Sequence, residues 1–157
     1  MKTTQPKLLL ADDDKDDCLF FKEALEELPV TAELIIVHDG EQLMRLLGER
    51  TTDPPPPHVL FLDLNMPRKN GFEVLSELKL DEKLQKLPVI IFSTSFAEDV
   101  ANQLYKNGAH YYIRKPADFS QLKKLIYQAV MLATEETMIQ PAIENFVLRG
   151  DLEAIQL

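Results

Sequence analysis

Five short runs of consecutive apolar residues are separated by longer amphipathic stretches, and this alternation restricts the fold more than any other feature of the chain. The runs are Leu8-Leu9-Leu10-Ala11, Leu34-Ile35-Ile36-Val37, Val59-Leu60-Phe61-Leu62, Pro88-Val89-Ile90-Ile91-Phe92 and Tyr111-Tyr112-Ile113. A strand with one wet face alternates apolar and polar residues; a strand covered on both faces does not. The stretches between them read as helices. From near Lys15 to Leu28, Cys18, Phe21, Leu25 and Leu28 keep to one face. Asp14, Asp16 and Asp17 at its start suit the helix dipole as a solvated acidic turn, and Pro29 ends it. After an Asp39-Gly40 turn comes a short helix, Glu41 to Leu47. Thr51 to Pro57 holds four consecutive prolines and reads as a stiff connecting loop. Gly71 opens a helix with Leu75 and Leu78 inward, and Ala97 to Asn107 is another, stopped by Asn107-Gly108. Asp118 caps a last helix that turns Phe119, Leu122, Ile126 and Ala129 to one side.

Strand and helix thus alternate five times within about 130 residues, which predicts an α/β fold with a parallel sheet covered on both faces. The size fits a doubly wound five-stranded sheet of flavodoxin-like order, 2-1-3-4-5; an eight-fold barrel would need about 250 residues. Residues 1–133 form this domain, and residues 134–157 are expected to be a C-terminal extension too short for a DNA-binding or catalytic output domain. The extension is rich in large apolar residues. Ile139, Ile143, Phe146 and Val147 fall at helical spacing ahead of Gly150, which predicts an ordered helix docked on the same chain or on a second copy.

Twenty-six acidic residues against 17 basic ones leave a net charge of −9, which argues against nucleic acid or an anionic membrane as partner. No run approaches the ~18 apolar residues of a membrane span, and Leu8 to Ala11 is shorter than a signal-peptide core. The lone Cys18 reads as a buried hydrophobe. Together these predict a cytoplasmic protein. His38, His58 and His110 have no ligand-like spacing and read as structural.

In an open parallel sheet, ligands bind beyond the carboxyl ends of the strands where strand order reverses. With order 2-1-3-4-5 that point lies between the first and third strands. Asp12-Asp13-Asp14 follow the first and Asp63-Leu64-Asn65 the third. Neighbouring strands are about 4.8 Å apart, so these carboxylates converge and repel. A hard divalent cation such as Mg²⁺, which prefers oxygen ligands and recruits phosphate, relieves that repulsion. Ser93-Thr94-Ser95 adds hydroxyl donors after the fourth strand, and Arg114-Lys115-Pro116 a cation after the fifth. Carboxylates, hydroxyl and ammonium around one cleft suit a phosphoryl group carried on a carboxylate.

At this point the chain resembles the receiver domains of two-component response regulators, over about residues 6 to 133. The resemblance rests on Asp12-Asp13 after the first apolar run, Asp63 in Leu62-Asp63-Leu64-Asn65-Met66-Pro67, Gly71, Ser93 at the end of the fourth run, and Lys115-Pro116. It implies that Asp63 accepts a phosphoryl group from a sensor histidine kinase or a histidine phosphotransfer protein. Mg²⁺ would be bound by Asp13, Asp63 and the Asn65 carbonyl, with Asp12 acting through a metal-bound water. Ser93 would be the switch hydroxyl, Tyr112 the switch aromatic and Lys115 the partner of the phosphoryl. A short chain of this kind resembles a stand-alone receiver, with output through a downstream protein partner and a second copy of the chain as a further candidate. Stand-alone receivers with a similar Ser93-Thr94-Ser95 stretch can accompany phytochrome-type sensor kinases. The resemblance implies no enzyme activity beyond the domain's own phosphoryl transfer and dephosphorylation. The competing reading is a phosphorylation-independent interaction scaffold on the same fold.

Overall fold

The computed structural model of the chain describes residues 5–49, 59–133 and 139–150. Five parallel strands, β1 (Lys7–Ala11), β2 (Glu33–Val37), β3 (Val59–Leu62), β4 (Val89–Ser93) and β5 (Tyr111–Arg114), pair in the order β2-β1-β3-β4-β5. The helices between and after them are α1 (Lys15–Glu26), α2 (Gly40–Glu49), α3 (Gly71–Leu80), α4 (Glu98–Lys106) and α5 (Phe119–Ala133). The expected order of strands is the observed one. The proline-rich loop of residues 51–57 lies outside the described residues, as does His58.

Successive residues of each strand enter different cores, which is why the apolar runs do not alternate. Leu9, Ala11, Leu60, Leu62, Ile91 and Tyr112 pack with α2, α3 and α4. Leu8, Leu10, Phe61, Ile90, Phe92 and Ile113 pack with α1 and α5. In the second layer Phe21 of α1 stands edge-on to both Phe61 and Phe92, with centroids 4.9 and 5.5 Å away. The helix starts are set locally. Asp14 caps α1 by accepting from the backbone N–H groups of Asp16 and Asp17. Asn70 and Glu73 form a reciprocal capping box on α3, and Asp118 accepts from Gln121 N–H at the start of α5.

The extension departs from its expected helix. Residues 139–150 form no α-helix; they hold one 3-10 turn, Ile143–Asn145, and a single bridge between Val147 and Tyr112. They pack on the same chain along the outer edge of β5. Tyr112 N–H donates to the Phe146 carbonyl (3.0 Å), and Leu148 N–H donates to the Tyr112 carbonyl (2.9 Å). Helical spacing alone had no way to register two facts. Pro141 sits within the pattern and supplies no N–H, and the edge of β5 presents unpaired backbone groups that an extended segment satisfies. Phe146 is buried between Tyr105 and Tyr112, with centroids 5.3 and 6.2 Å away, whereas Ile139 and Ile143 stay exposed.

Candidate functional site

The site forms where β1, β3, β4 and β5 end. Asp12 N–H still bonds the Val37 carbonyl and Asp63 N–H the Ala11 carbonyl, both at 3.0 Å, so the sheet ladder aims both aspartates. Lys115 N–H bonds the Ser93 carbonyl at 2.8 Å, which ties the loop after β5 to the end of β4. Behind Asp63 the chain turns tightly into α3. A Cβ on Gly71 would lie 2.5 Å from the Asp63 carbonyl oxygen, so only glycine permits this approach, and Gly71 N–H bonds the Leu64 carbonyl. That is the physical reason for the glycine in the motif.

The expected acidic residues come together. One carboxylate oxygen from each of Asp12, Asp13 and Asp63 lies within 4.8 Å of the others; Asp12 and Asp63 are buried and Asp13 is exposed. Asp12 Oδ1 accepts from Asp14 N–H, and its buried Oδ2 faces the Lys115 ammonium at 2.7 Å. Three carboxylate oxygens gathered this closely suit a hard cation, so the donor set fits Mg²⁺ or a similar ion. Burial raises the Asp63 carboxyl to about 7. The charges of Asp12 and Asp13 push the same way, against the opposing pull of Lys115 and the Asn65 backbone hydrogen bond. Asp12 is raised as well, chiefly by burial, against its pairing with Lys115.

Lys115 stands over the Phe92 ring, 5.2 Å from its centroid. Its Nζ lies 2.7 Å from Asp12 Oδ2 and 4.0 Å from Asp63 Oδ1. It also donates a hydrogen bond to Asp17 Oδ2 at 2.8 Å. Burial alone would push the ammonium down; the bonds to Asp12 and Asp17 and the charge of Asp63 outweigh it and raise the group to about 12. Asp17, expected as one of a solvated acidic turn, is therefore part of the site. A helix-start aspartate carries no local signal of a lysine nearly a hundred residues away.

Ser93 is fully buried, and its Oγ accepts from Ser95 N–H at 3.3 Å. Tyr112 is buried too. Its hydroxyl donates to the Ser95 carbonyl, and its ring meets Phe96 edge-on at 5.3 Å. The turn from Ser93 to Ser95 thus touches both expected switch residues. Of the histidines, His38 Nδ1 lies 3.1 Å from the Asp12 carbonyl oxygen, and His110 Nδ1 accepts from Val89 N–H. Cys18 is buried, with its Sγ against the Asp12 carbonyl, and its thiol is pushed up to about 12 by burial first and then by Asp12. It is a packed side chain, as expected.

The comparisons agree with this geometry. The family described as "Response regulator receiver domain" matches residues 8–127. Response regulator Rcp1 of Synechocystis sp. is 33% identical over 144 residues, covering 90% of this chain and 97% of Rcp1. A probable methanogenesis regulatory protein, FilR2 of Methanothrix harundinacea, is 31% identical over 124 residues, 76% of this chain and 77% of its own. Among solved structures, the phosphorylated cyanobacterial phytochrome response regulator RcpA superposes with a TM-score of 0.76 at 32% identity, covering 88% of this chain and 100% of that one. The Mn²⁺-bound form of Rcp1 superposes with a TM-score of 0.71 at 33% identity, over 87% of this chain and 99% of Rcp1. With the sheet order, the convergent carboxylates and these relatives together, the chain belongs to the response regulator receiver family of two-component signalling.

Proposed function

We propose that Asp63 accepts a phosphoryl group from a histidine kinase or a histidine phosphotransfer protein in the presence of Mg²⁺, and that this changes which protein the domain binds. The observation that carries the reading is the meeting of Asp63 with Asp12, Asp13 and Lys115 at the ends of three different strands. A carboxylate oxygen of Asp63 attacks the phosphorus in line. The bond from phosphorus to the donor's nitrogen (or to the acyl oxygen of acetyl phosphate) breaks, and its electron pair leaves with the donor. Asp12, Asp13, Asp63 and the Asn65 carbonyl would hold the metal, which when bound neutralises phosphoryl oxygens and so lowers the charge cost of transfer. Lys115 pairs with a phosphoryl oxygen. Ser93 donates its hydroxyl to another, giving up its place in the Ser93–Ser95 turn, and the Tyr112 hydroxyl, bonded to the Ser95 carbonyl, feels that change.

In this reading residues 1–133 are the receiver and 134–157 a C-terminal extension, and the protein works in the cytoplasm. Output passes to a downstream protein, with a second copy of the chain as another partner. Beyond its own phosphoryl transfer and dephosphorylation we assign it no catalysis. RcpA is a phytochrome response regulator, which makes a phytochrome-type sensor kinase the donor class we favour for this chain. Incubation with acetyl phosphate and Mg²⁺ should add one phosphoryl mass, abolished by EDTA and by Asp63→Asn. Full labelling of Asp63→Asn would overturn the assignment.

A further inference from the structure

The Lys115 ammonium faces three carboxylates at unequal distances. Asp12 and Asp17 hold it closely, at 2.7 and 2.8 Å, and Asp63 stands off at 4.0 Å, beyond hydrogen-bond reach. The Phe92 ring closes one side, and the lysine side chain is only 9% exposed. Asp17 pulls from the first turn of α1, and its own side chain is one-third exposed. It belongs neither to the metal cluster nor to the reacting atoms.

We propose that Asp17 is a positioning residue that holds Lys115 off the acceptor in the resting state. Bringing the ammonium onto a phosphoryl at Asp63 then requires it to exchange Asp17 for a phosphoryl oxygen. Two consequences have the same sign. The Asp17 carboxylate competes for the cation that must neutralise the incoming group, and its charge adds to the repulsion felt by an anionic donor. Asp17 therefore restrains phosphorylation. The inference rests on the reading of Asp63 as acceptor.

The test compares the full chain with Asp17→Asn, Asp17→Ala, Asp17→Glu and the control Asp16→Asn. Asp16 is the exposed neighbour of Asp17 and carries the same charge, but only Asp17 bonds Lys115. Two quantities are read: the rate of phosphoryl addition from acetyl phosphate with Mg²⁺, by intact mass, and the midpoint of a beryllofluoride titration. Removing a partly exposed pair should raise the rate and lower the midpoint about fivefold in Asp17→Asn and Asp17→Ala. Asp17→Glu, which restores a carboxylate within reach, should return both towards the parent, and Asp16→Asn should leave both near it. Unchanged or slower labelling in Asp17→Asn and Asp17→Ala overturns the inference, as does an equal gain in Asp16→Asn. A parent that takes no label, or an Asp63→Asn variant that takes it in full, overturns the acceptor reading and this inference with it.

Discussion

His110 shows how a single buried group links this fold to pH. Its Nδ1 accepts from Val89 N–H, so the ring must stay neutral there, and burial, aided by the charge of Lys79, holds it down to about 4 from the usual 6.5. Below pH 6.5 the unfolded chain takes up a proton that the native ring refuses. Stability supplied by this group is thus present above pH 6.5 and lost as pH falls towards 4, by at most about 3 kcal/mol. His110→Gln keeps an acceptor without the titration. Chemical denaturation of parent and variant should therefore diverge between pH 6.5 and 4, with the variant losing less. Asp63 acts oppositely. Its raised carboxyl carries a proton in the metal-free native state up to about pH 7, so its contribution declines as pH rises from about 4 to 7. Taking the parent-minus-variant difference removes that background. Ser93 allows a different kind of residue-scale test. Ser93→Ala should still accept the phosphoryl at Asp63 but lose phospho-dependent partner binding, since Tyr112 would no longer be told of it. Equal phospho-dependent binding in that variant would refute the coupling.

At the scale of elements, the segment 139–150 works as an added edge. Its backbone completes the hydrogen bonds of Tyr112, Gln140 Nε2 donates to the Tyr105 and Ala109 carbonyls, and the Tyr105 hydroxyl donates to the Pro141 carbonyl at 2.6 Å. Phe146 fills the space between two tyrosines, one on α4 and one on β5. Truncating a buried phenylalanine costs about 3–5 kcal/mol where the site does not collapse. Phe146→Ala should fall at the low end of that range, because a segment at the chain's edge relaxes more readily than the sheet core. Ending the chain after Ala133 should lower the melting temperature and speed proteolysis near α4 and β5. An unchanged melting temperature and protease resistance would mean the segment adds nothing to the domain. Since Tyr112 packs edge-on against both Phe96 and Phe146 of the segment, any change at Ser93 that reaches Tyr112 also reaches the segment.

For the whole molecule, the tension lies at one end of the sheet. Three carboxylates share a space less than 5 Å across there, opposed by the Lys115 ammonium, which lies 2.7 Å from Asp12 and 4.0 Å from Asp63. A cation that binds only the folded chain stabilises it by mass action, by ~1.4 kcal/mol at ten times its dissociation constant, or about 3–5 °C in a chain of this size. Mg²⁺ should therefore raise the melting temperature. Asp13→Asn should raise that of the metal-free protein while blunting the response to Mg²⁺, and an undiminished response would show that Asp13 is no ligand.

The sheet, its order and the convergence of Asp12, Asp13, Asp63 and Lys115 were legible in the linear sequence. Each lies at a strand end, and a parallel sheet with helical crossovers has few ways to arrange five strands. Hydrophobic period and strand position are local properties, so they survive being read one residue at a time. The partners of Asp17 and Phe146 are not local. Asp17 looked like a helix start because its backbone is one, yet its carboxylate is drawn to a lysine that the fold delivers from β5. The apolar residues of the extension kept a helical spacing, and the free edge of β5 offered them an extended backbone with partners for its N–H and C=O groups. In both cases competition for a charge or a hydrogen bond decided the outcome, and the competitor exists only once the distant chain has folded beside it.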